Sequence, residues 1–328
     1  MNSREIVLRT LAYESPERVA RSFYDGDFAW TSYDVATPAT DWMEVGGGRW
    51  ERMDEWGNVW ARVDRFSKGE VVKGVLDSLE DADALTFPDF SNPADYAPAR
   101  AARAAHPDRY LIGGMPGFAF NIARKLRRID HYLLDLLENR SAIHALHDRI
   151  DALLETMIVQ YAASGVDAVM FPEDWGTQSG LMIAPALWRE EFFPRFLRLC
   201  ALAKASGVAV WMHSCGQISA IVPDLMRAGI AVLQFDQPEL HGLETLAAHQ
   251  GRGKITFWCP VDIQQILPRR DPELIRARAR AMLDLLWKGR GGFIAGYYGD
   301  NESLGLEPEW QEYACKEFLH RGLRKVYQ

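Results

Sequence analysis

Val208-Ala-Val-Trp-Met-His-Ser-Cys-Gly216 reads as a short buried strand that ends in a turn. The run 208–212 is wholly apolar, the pattern of a strand covered on both faces. Residues i and i+2 of a strand share a face. His213 and Cys215 therefore leave the backbone in the same direction where the strand stops, and Gly216 releases the chain.

Outward from this strand the same grammar repeats. Short apolar runs at 110–115, 168–171, 231–235, 255–258 and 293–296 alternate with amphipathic segments. Helices are expected over 130–163 with a break near Asn139, over 186–205 with a kink at Pro194, and over 217–228 and 242–249. Two more are expected, one from an Asp271 N-cap with Pro272 in its first turn and one over 308–321. Alternation of this kind implies a parallel sheet. Before residue 108 the pattern is looser. It holds a helix over 3–12, a strand over 19–24, and a β-hairpin over 50–63 turning at Gly57-Asn58. A further strand is expected over 71–76, then a proline-rich segment over 77–107 with a short helix at 99–105. Six clear strand–helix units, with two more before them, predict an α/β fold, a (β/α)8 TIM-type barrel with an N-terminal helical and β-hairpin extension. The chain is read as one domain over 1–328, with the extension and first strands in 1–107 and the regular units in 108–328. A doubly wound open sheet is the alternative. No Gly-x-Gly-x-x-Gly follows any of these strands and no Walker A sequence occurs, which argues against its nucleotide-binding form.

Composition narrows the partners. Of 328 residues 48% are hydrophobic and 25% charged, ordinary globular usage. The formal net charge of −8 argues against nucleic acid or an anionic membrane as partner. The basic run Arg124-Lys-Leu-Arg-Arg128 offers at most a local site for a phosphate or carboxylate. No segment approaches the ~18 apolar residues of a spanning helix. The charged start, Met1-Asn-Ser-Arg-Glu, is unlike a signal peptide, so a cytoplasmic protein is expected. The four cysteines, Cys200, Cys215, Cys259 and Cys315, are too sparse for a disulfide framework. Cys200, among Phe196, Leu197, Leu199 and Leu202, and Cys315 read as core thiols. His131, His144 and His147 read as solvated helix residues, and no Gly-x-Ser-x-Gly elbow is present.

Chemistry in a parallel barrel sits at the C-terminal ends of the strands. Standing there are Glu173, Asp174 and Trp175; His213 and Cys215; Gln234 and Asp236; Cys259; and Tyr297 and Tyr298. A carboxylate, an imidazole and two thiolates from neighbouring strands suit zinc. His213, Cys215 and Cys259 are the expected metal ligands, joined by Glu173 or Asp174. Asp174, Glu173 and Tyr297 are the catalytic candidates, and Trp175, Gln234, Asp236 and Tyr298 the substrate-binding ones. Buried His and Cys without a metal is the competing reading.

Taken together, Asn2-Ser-Arg-Glu-Ile-Val-Leu-Arg-Thr-Leu11, Asp54-Glu-Trp-Gly-Asn-Val-Trp60, Gly165-Val-Asp-Ala-Val-Met-Phe-Pro-Glu-Asp-Trp-Gly-Thr-Gln178, Pro185-Ala-Leu-Trp-Arg-Glu-Glu-Phe-Phe-Pro-Arg195, Val210-Trp-Met-His-Ser-Cys-Gly216 and Ile221-Val-Pro-Asp-Leu225 resemble the uroporphyrinogen decarboxylase superfamily along the whole chain. The resemblance implies a (β/α)8 barrel. It is nearer the corrinoid-dependent methyltransferases than the tetrapyrrole decarboxylases. The N-terminal Arg-Gln-Ala-Gly-Arg-like segment of the decarboxylases is missing, and Gly296-Tyr-Tyr-Gly-Asp300 stands where they carry a late His. In the methyltransferases His-x-Cys binds zinc, which carries over to His213 and Cys215. Their third ligand, a Cys at the last strand end, is absent, and Cys259 one strand earlier is the expected replacement. The function so implied is zinc-dependent methyl transfer between a small thiol, methoxy or methylamine substrate and a corrinoid (methylcobalamin type) carried by a partner protein, since no Asp-x-His-x-x-Gly-like motif occurs in the chain. A homodimer is also expected. Metal-free decarboxylation of a small acid and a non-catalytic ligand-binding barrel are the alternatives.

Overall fold

The computed structural model describes residues 1–324. Its strands are β1 (Ala20–Arg21), β2 (Phe28–Thr31), β3 (Met43–Gly46), β4 (Arg49–Met53), β5 (Val59–Arg62), β6 (Glu70–Lys73), β7 (Tyr110–Gly114), β8 (Ala168–Pro172), β9 (Ala209–His213), β10 (Ile230–Gln234), β11 (Thr256–Cys259) and β12 (Phe293–Ala295). Eight of them form a parallel sheet in the order β1-β12-β11-β10-β9-β8-β7-β2, and β3 to β6 form a separate antiparallel sheet in sequence order. The parallel sheet with its surrounding helices is the expected TIM-type α/β barrel, and the antiparallel sheet is the expected hairpin grown by one strand at either side.

The barrel's interior is legible from one set of side chains. Ala20, Phe28, Tyr110, Ile112, Ala168, Trp211, Val232, Trp258 and Ile294 cluster together, and they come from all eight parallel strands, so they line the lumen. Ile6 and Val7 of the helix Ser3–Ala12 join the same cluster and stopper one end. Arg4 anchors that helix to Asp167 with Nε and Nη2 bonds of 2.9 and 2.7 Å. The alternate residues, among them Leu111, Val169, Val210, Met212, Leu233, Phe257 and Cys259, belong to a second cluster shared with the outer helices. This is the two-residue period of a strand expressed as two cores. Truncating Trp211, whose ring meets those of Phe28, Tyr110 and Trp258, to alanine costs about 3–5 kcal/mol.

The barrel's first strand departs from expectation. The strand read over 19–24 survives only as β1, because Tyr24 takes a positive φ of 52° and the chain makes a six-residue detour before β2. No ladder joins β1 to β2. The seam is closed by Asp27 instead. Its backbone N–H donates to the Arg21 carbonyl (2.9 Å), and its fully buried carboxylate accepts from the Arg21 N–H and from both Arg18 guanidinium nitrogens at 2.9, 2.8 and 2.6 Å. On either flank the ladders continue, Ser22 N–H to the Ala295 carbonyl and Tyr110 N–H to the Asp27 carbonyl, both 3.0 Å.

Among the helices, Ile129–Glu138 and Arg140–Ala163 meet at the expected break, while the helix expected over 186–205 with a kink at Pro194 is divided at Phe192 into Pro185–Glu191 and Phe193–Ala205, with Pro194 in the first turn of the second. Asp271 caps Pro272–Met282 by accepting from the Glu273 and Leu274 N–H groups. The helix Ala119–Leu126 was not foreseen, and Val222–Ala228 begins later than 217 because Pro223 occupies its first turn. No helix of the described residues is long and apolar enough to cross a membrane.

Candidate metal centre

His213 has the parity of Trp211, so it faces the lumen at the C-terminal end of β9. The register places Pro172 of β8 and Gln234 of β10 beside it. Counting on from Pro172 puts Asp174 on the lumen side and Glu173 on the helix side, and the contacts agree. Asp174 Oδ1 accepts the Cys215 N–H at 2.9 Å and lies 3.5 Å from His213 Nε2. That nitrogen is 3.3 Å from Cys215 Sγ. One ligand atom from each of Asp174, His213 and Cys215 falls within 4.8 Å of the others, and no metal-compatible group in the described residues includes a fourth donor. Arg124 borders the triad, its Nη2 3.4 Å from Asp174 Oδ2.

Two glycines create this convergence. Gly216 takes a φ of +74°, and a Cβ there would fall 2.3 Å from the Gly176 carbonyl carbon and oxygen; a Cβ on Gly176 would fall 2.5 Å from Gly216. Only residues without side chains allow the loops after β8 and β9 to touch backbone to backbone. The contact, locked by Gly176 N–H donating to the Cys215 carbonyl (3.2 Å), carries Asp174 over Cys215.

Gln234 and Asp236 set the tautomer of His213. Asp236 Oδ1 accepts from the Gln234 amide nitrogen at 2.7 Å, because a carboxylate only accepts. The Gln234 amide oxygen is thereby turned to His213 Nδ1, so Nδ1 carries a proton and Nε2 is the nitrogen that faces the triad. This outer arrangement is the one that orients a metal-binding histidine. Burial lowers the imidazole's proton affinity, but the Cys215 thiol contact and the charges of Cys215, Asp236 and Asp174 outweigh it and lift the pKa to about 10.

The donor set fits zinc. Tetrahedral zinc holds N and S about 3.6 Å apart and N and O about 3.3 Å apart when the ligand bonds have their usual lengths. The corresponding separations here are 3.3 Å and 3.5 Å. Three protein donors leave a fourth position open, and Cys215 is exposed to solvent there.

Four of the expected site residues lie elsewhere, for one reason, the side of the strand they occupy. Cys259 follows the lumen residue Trp258, so it points into the helix-side cluster, fully buried. Burial raises its thiol pKa well above the usual value, and it does not join the triad. Glu173 is fully buried and accepts from the Phe118 and Asn121 N–H groups at 2.6 and 3.2 Å. It caps the helix Ala119–Leu126, whose own N-cap supplies no side-chain bond, and burial lifts its pKa to about 8 against those two bonds. Trp175 is fully buried, stacked 3.9 Å from Phe120, not placed to touch a substrate. Tyr297 packs on the helix-side cluster and accepts from Asn301 Nδ2 at 3.0 Å. Tyr298 is half-buried near Lys68, Asp236 and Asp300, with burial raising its pKa. Arg124 was visible only as part of a basic run. The fold divides that run, with Arg127 going to Asp135 and Arg128 to Asp130.

The model of the family described as uroporphyrinogen decarboxylase (URO-D) matches residues 66–297. The chain belongs to this family. Within the URO-D family the matched span covers β6 to β12 and every residue of the triad, and leaves β1 to β5 outside. No curated protein sequence matches the chain. Among solved structures, the fold is similar to that of a methyltransferase from Methanosarcina mazei, with a TM-score of 0.61 and 12% identity over 81% of this chain and 76% of that one. Weaker similarity extends to an endo-β-1,4-xylanase from Gloeophyllum trabeum (TM-score 0.43, 11% identity, 70% and 80% covered). A B12-independent methionine synthase from Shewanella sp. W3-18-1 stands at a TM-score of 0.42 and 14% identity, with 80% and 72% covered.

Proposed function

We propose that this URO-D family member is a zinc-dependent methyltransferase that exchanges a methyl group between a small thiol, methoxy or methylamine substrate and a corrinoid carried by a partner protein. One observation carries the reading. Asp174, His213 and Cys215 converge at the barrel mouth with an open side, and Gln234 and Asp236 hold the imidazole in the ligating tautomer. Zinc held by these three residues supplies a Lewis acid that lowers the pKa of a substrate thiol or alkoxide. Asp174 and Cys215 supply the negative charge that retains the cation, and Arg124 restrains Asp174. The aromatic floor of Trp211, Trp258 and Phe28, whose rings meet at centroid distances of 5.3 to 6.1 Å, excludes water from below. Above it the exposed Cys215 leaves the mouth accessible to a partner's cofactor, and the name of the Methanosarcina mazei neighbour agrees with the transfer chemistry.

Arg124 beside Asp174 favours a second reading, metal-free decarboxylation of a small acid whose carboxylate would pair with the guanidinium. The test measures zinc per chain after reducing, chelator-free purification, then methylcobalamin demethylation by a panel of thiols and methylation of cob(I)alamin by methoxy and methylamine compounds. The first reading expects one zinc per chain, lost in Cys215→Ser together with turnover. Zinc-free wild-type protein would refute it.

A further inference from the structure

We propose that the pocket between the β3–β6 sheet and the loop after β12 binds the anionic end of the substrate, a carboxylate, sulfonate or phosphate. Trp50 and Arg52 alternate on β4, and Trp60 and Arg62 on β5. The register pairs Trp50 with Arg62 and Arg52 with Trp60, so all four side chains share one face as a checkerboard. Trp42 roofs both guanidiniums, with Arg52 and Arg62 5.2 and 4.3 Å from its ring. Arg52 also lies 5.2 Å from Trp60, and Arg62 5.3 Å from Trp50.

The aromatic contacts leave a deficit. Stacking on an indole attracts a guanidinium but gives its N–H groups no acceptor. Arg52 Nε and Arg62 Nε are both buried without a hydrogen-bond partner. The pocket, of about 340 Å³, also holds Arg65 and Lys68 and two carboxylates, Asp300 and Glu302. Those carboxylates are engaged, Asp300 by Lys68 and Glu302 by Arg65 at 3.5 Å. The pocket thus carries two more cations than anions, and the excess sits on the two arginines whose donors lack acceptors. A planar or tetrahedral oxyanion between forked guanidiniums supplies those acceptors and cancels the repulsion of two like charges over one ring.

The pocket and the triad share neighbours through two lysines. Lys68 sits in the field of Asp236 and Tyr298. Lys125, 5.7 Å over the outer ring Trp60, sits in the field of Asp174. A ligand anchored by its anion at Arg52 and Arg62 directs its other end to Asp174, His213 and Cys215. Only that orientation rests on the methyl-transfer reading; the pocket itself does not.

The test uses the full chain, stripped of metal and then zinc-loaded, with inorganic phosphate, 3-mercaptopropionate and 1-propanethiol as probes, read by tryptophan fluorescence and calorimetry. One phosphate is expected to bind per metal-stripped chain. Arg52→Gln and Arg62→Gln should each weaken it roughly tenfold or more, the loss expected for a charge-assisted contact. Arg49→Gln, which removes an exposed arginine of the same sheet paired with Glu51, should leave it unchanged. In the zinc-loaded protein 3-mercaptopropionate should bind more tightly than 1-propanethiol, and the double variant should erase the difference. Unaltered phosphate affinity in both glutamine variants, with only their melting temperature lowered, would make the checkerboard a purely structural ladder and overturn the proposal. Wild-type protein offers an arm that needs no variant. Phosphate should slow phenylglyoxal modification of Arg52 and Arg62, mapped by mass spectrometry, and absence of protection equally overturns the pocket. Phosphate binding that persists in a chain unable to retain zinc leaves the pocket standing and removes the methyltransferase reading instead.

Discussion

Gly216→Ala should unmake the site and weaken the fold together. The substitution forces an alanine to a φ of +74°, which costs about 1–2 kcal/mol. Its Cβ would also stand 2.3 Å from the Gly176 carbonyl, so the loops after β8 and β9 have to part by on the order of 1 Å. Parting removes two hydrogen bonds, Gly176 N–H to Cys215 carbonyl and Cys215 N–H to Asp174 Oδ1, each worth about 1–2 kcal/mol. The expected destabilisation is about 3–6 kcal/mol, the sum of these contributions. Urea denaturation monitored by circular dichroism measures it, and zinc competition with a chromophoric chelator measures the accompanying loss of metal affinity. Gly299→Ala is the control, since nothing lies within 4 Å of a Cβ there; it should change stability by less than about 0.5 kcal/mol. A Gly216→Ala protein within 1 kcal/mol of wild type, still holding zinc, would refute the argument that backbone contact between these loops assembles the triad; that threshold is about a third of the smallest loss expected.

Gln234→Leu leaves His213 Nδ1 without its acceptor and should weaken zinc binding about 10–100-fold, read by the same competition. Cys259→Ser should leave zinc stoichiometry at the wild-type value, because the thiol faces away from the lumen; loss of the metal would restore it as a ligand. Glu191→Gln tests the buried network on the outer helices. Burial works against the carboxylate's charge, but bonds from His147 and His144 and the charge of Arg195 prevail and hold its pKa at about 2. A group depressed on folding contributes above its unfolded pKa, near 4.5, and loses that contribution as pH falls toward 2. Stability at neutral pH should therefore drop by about 2 kcal/mol in Glu191→Gln, and the variant should shed less stability than wild type between pH 4.5 and 2 in acid titrations followed by fluorescence.

How far the sequence discloses this molecule depends on phase. His213 and Cys215 were legible because 208–212 is an unbroken apolar run and Gly216 marks its end. The choice between Asp174 and Glu173 needed to know which residues of β8 face the lumen. An apolar strand buried on both sides hides that, since Val169 and Ala168 look alike whichever way they point. Cys259 is subject to the same ambiguity, since it lies one residue out of phase with Trp258 and on the helix side of β11. The first strand failed differently. Two residues of β1 carry no periodicity, and the seam rests on Asp27, an acid that sequence reading sends to the surface. His147, read as solvated, is buried and paired with Glu191 at 2.7 Å, because the helices Arg140–Ala163 and Pro185–Glu191 meet there. The Trp–Arg alternation of β4 and β5 was visible as a hairpin, while its shared face came from the cross-strand register.

The seam at Asp27 also bears on how the chain is made. β1 pairs with β12, Ala20 against Ile294, partners about 270 residues apart in a polymer released from the ribosome N-terminus first. At roughly 10 residues per second the first strand waits for the better part of half a minute with one side unmatched. During that interval its exposed backbone groups are open to association with other nascent chains. The Arg18–Asp27 pair, formed between residues only nine apart, is available from the outset. It folds the detour between β1 and β2 locally, so that the last strand to emerge meets a prepared edge.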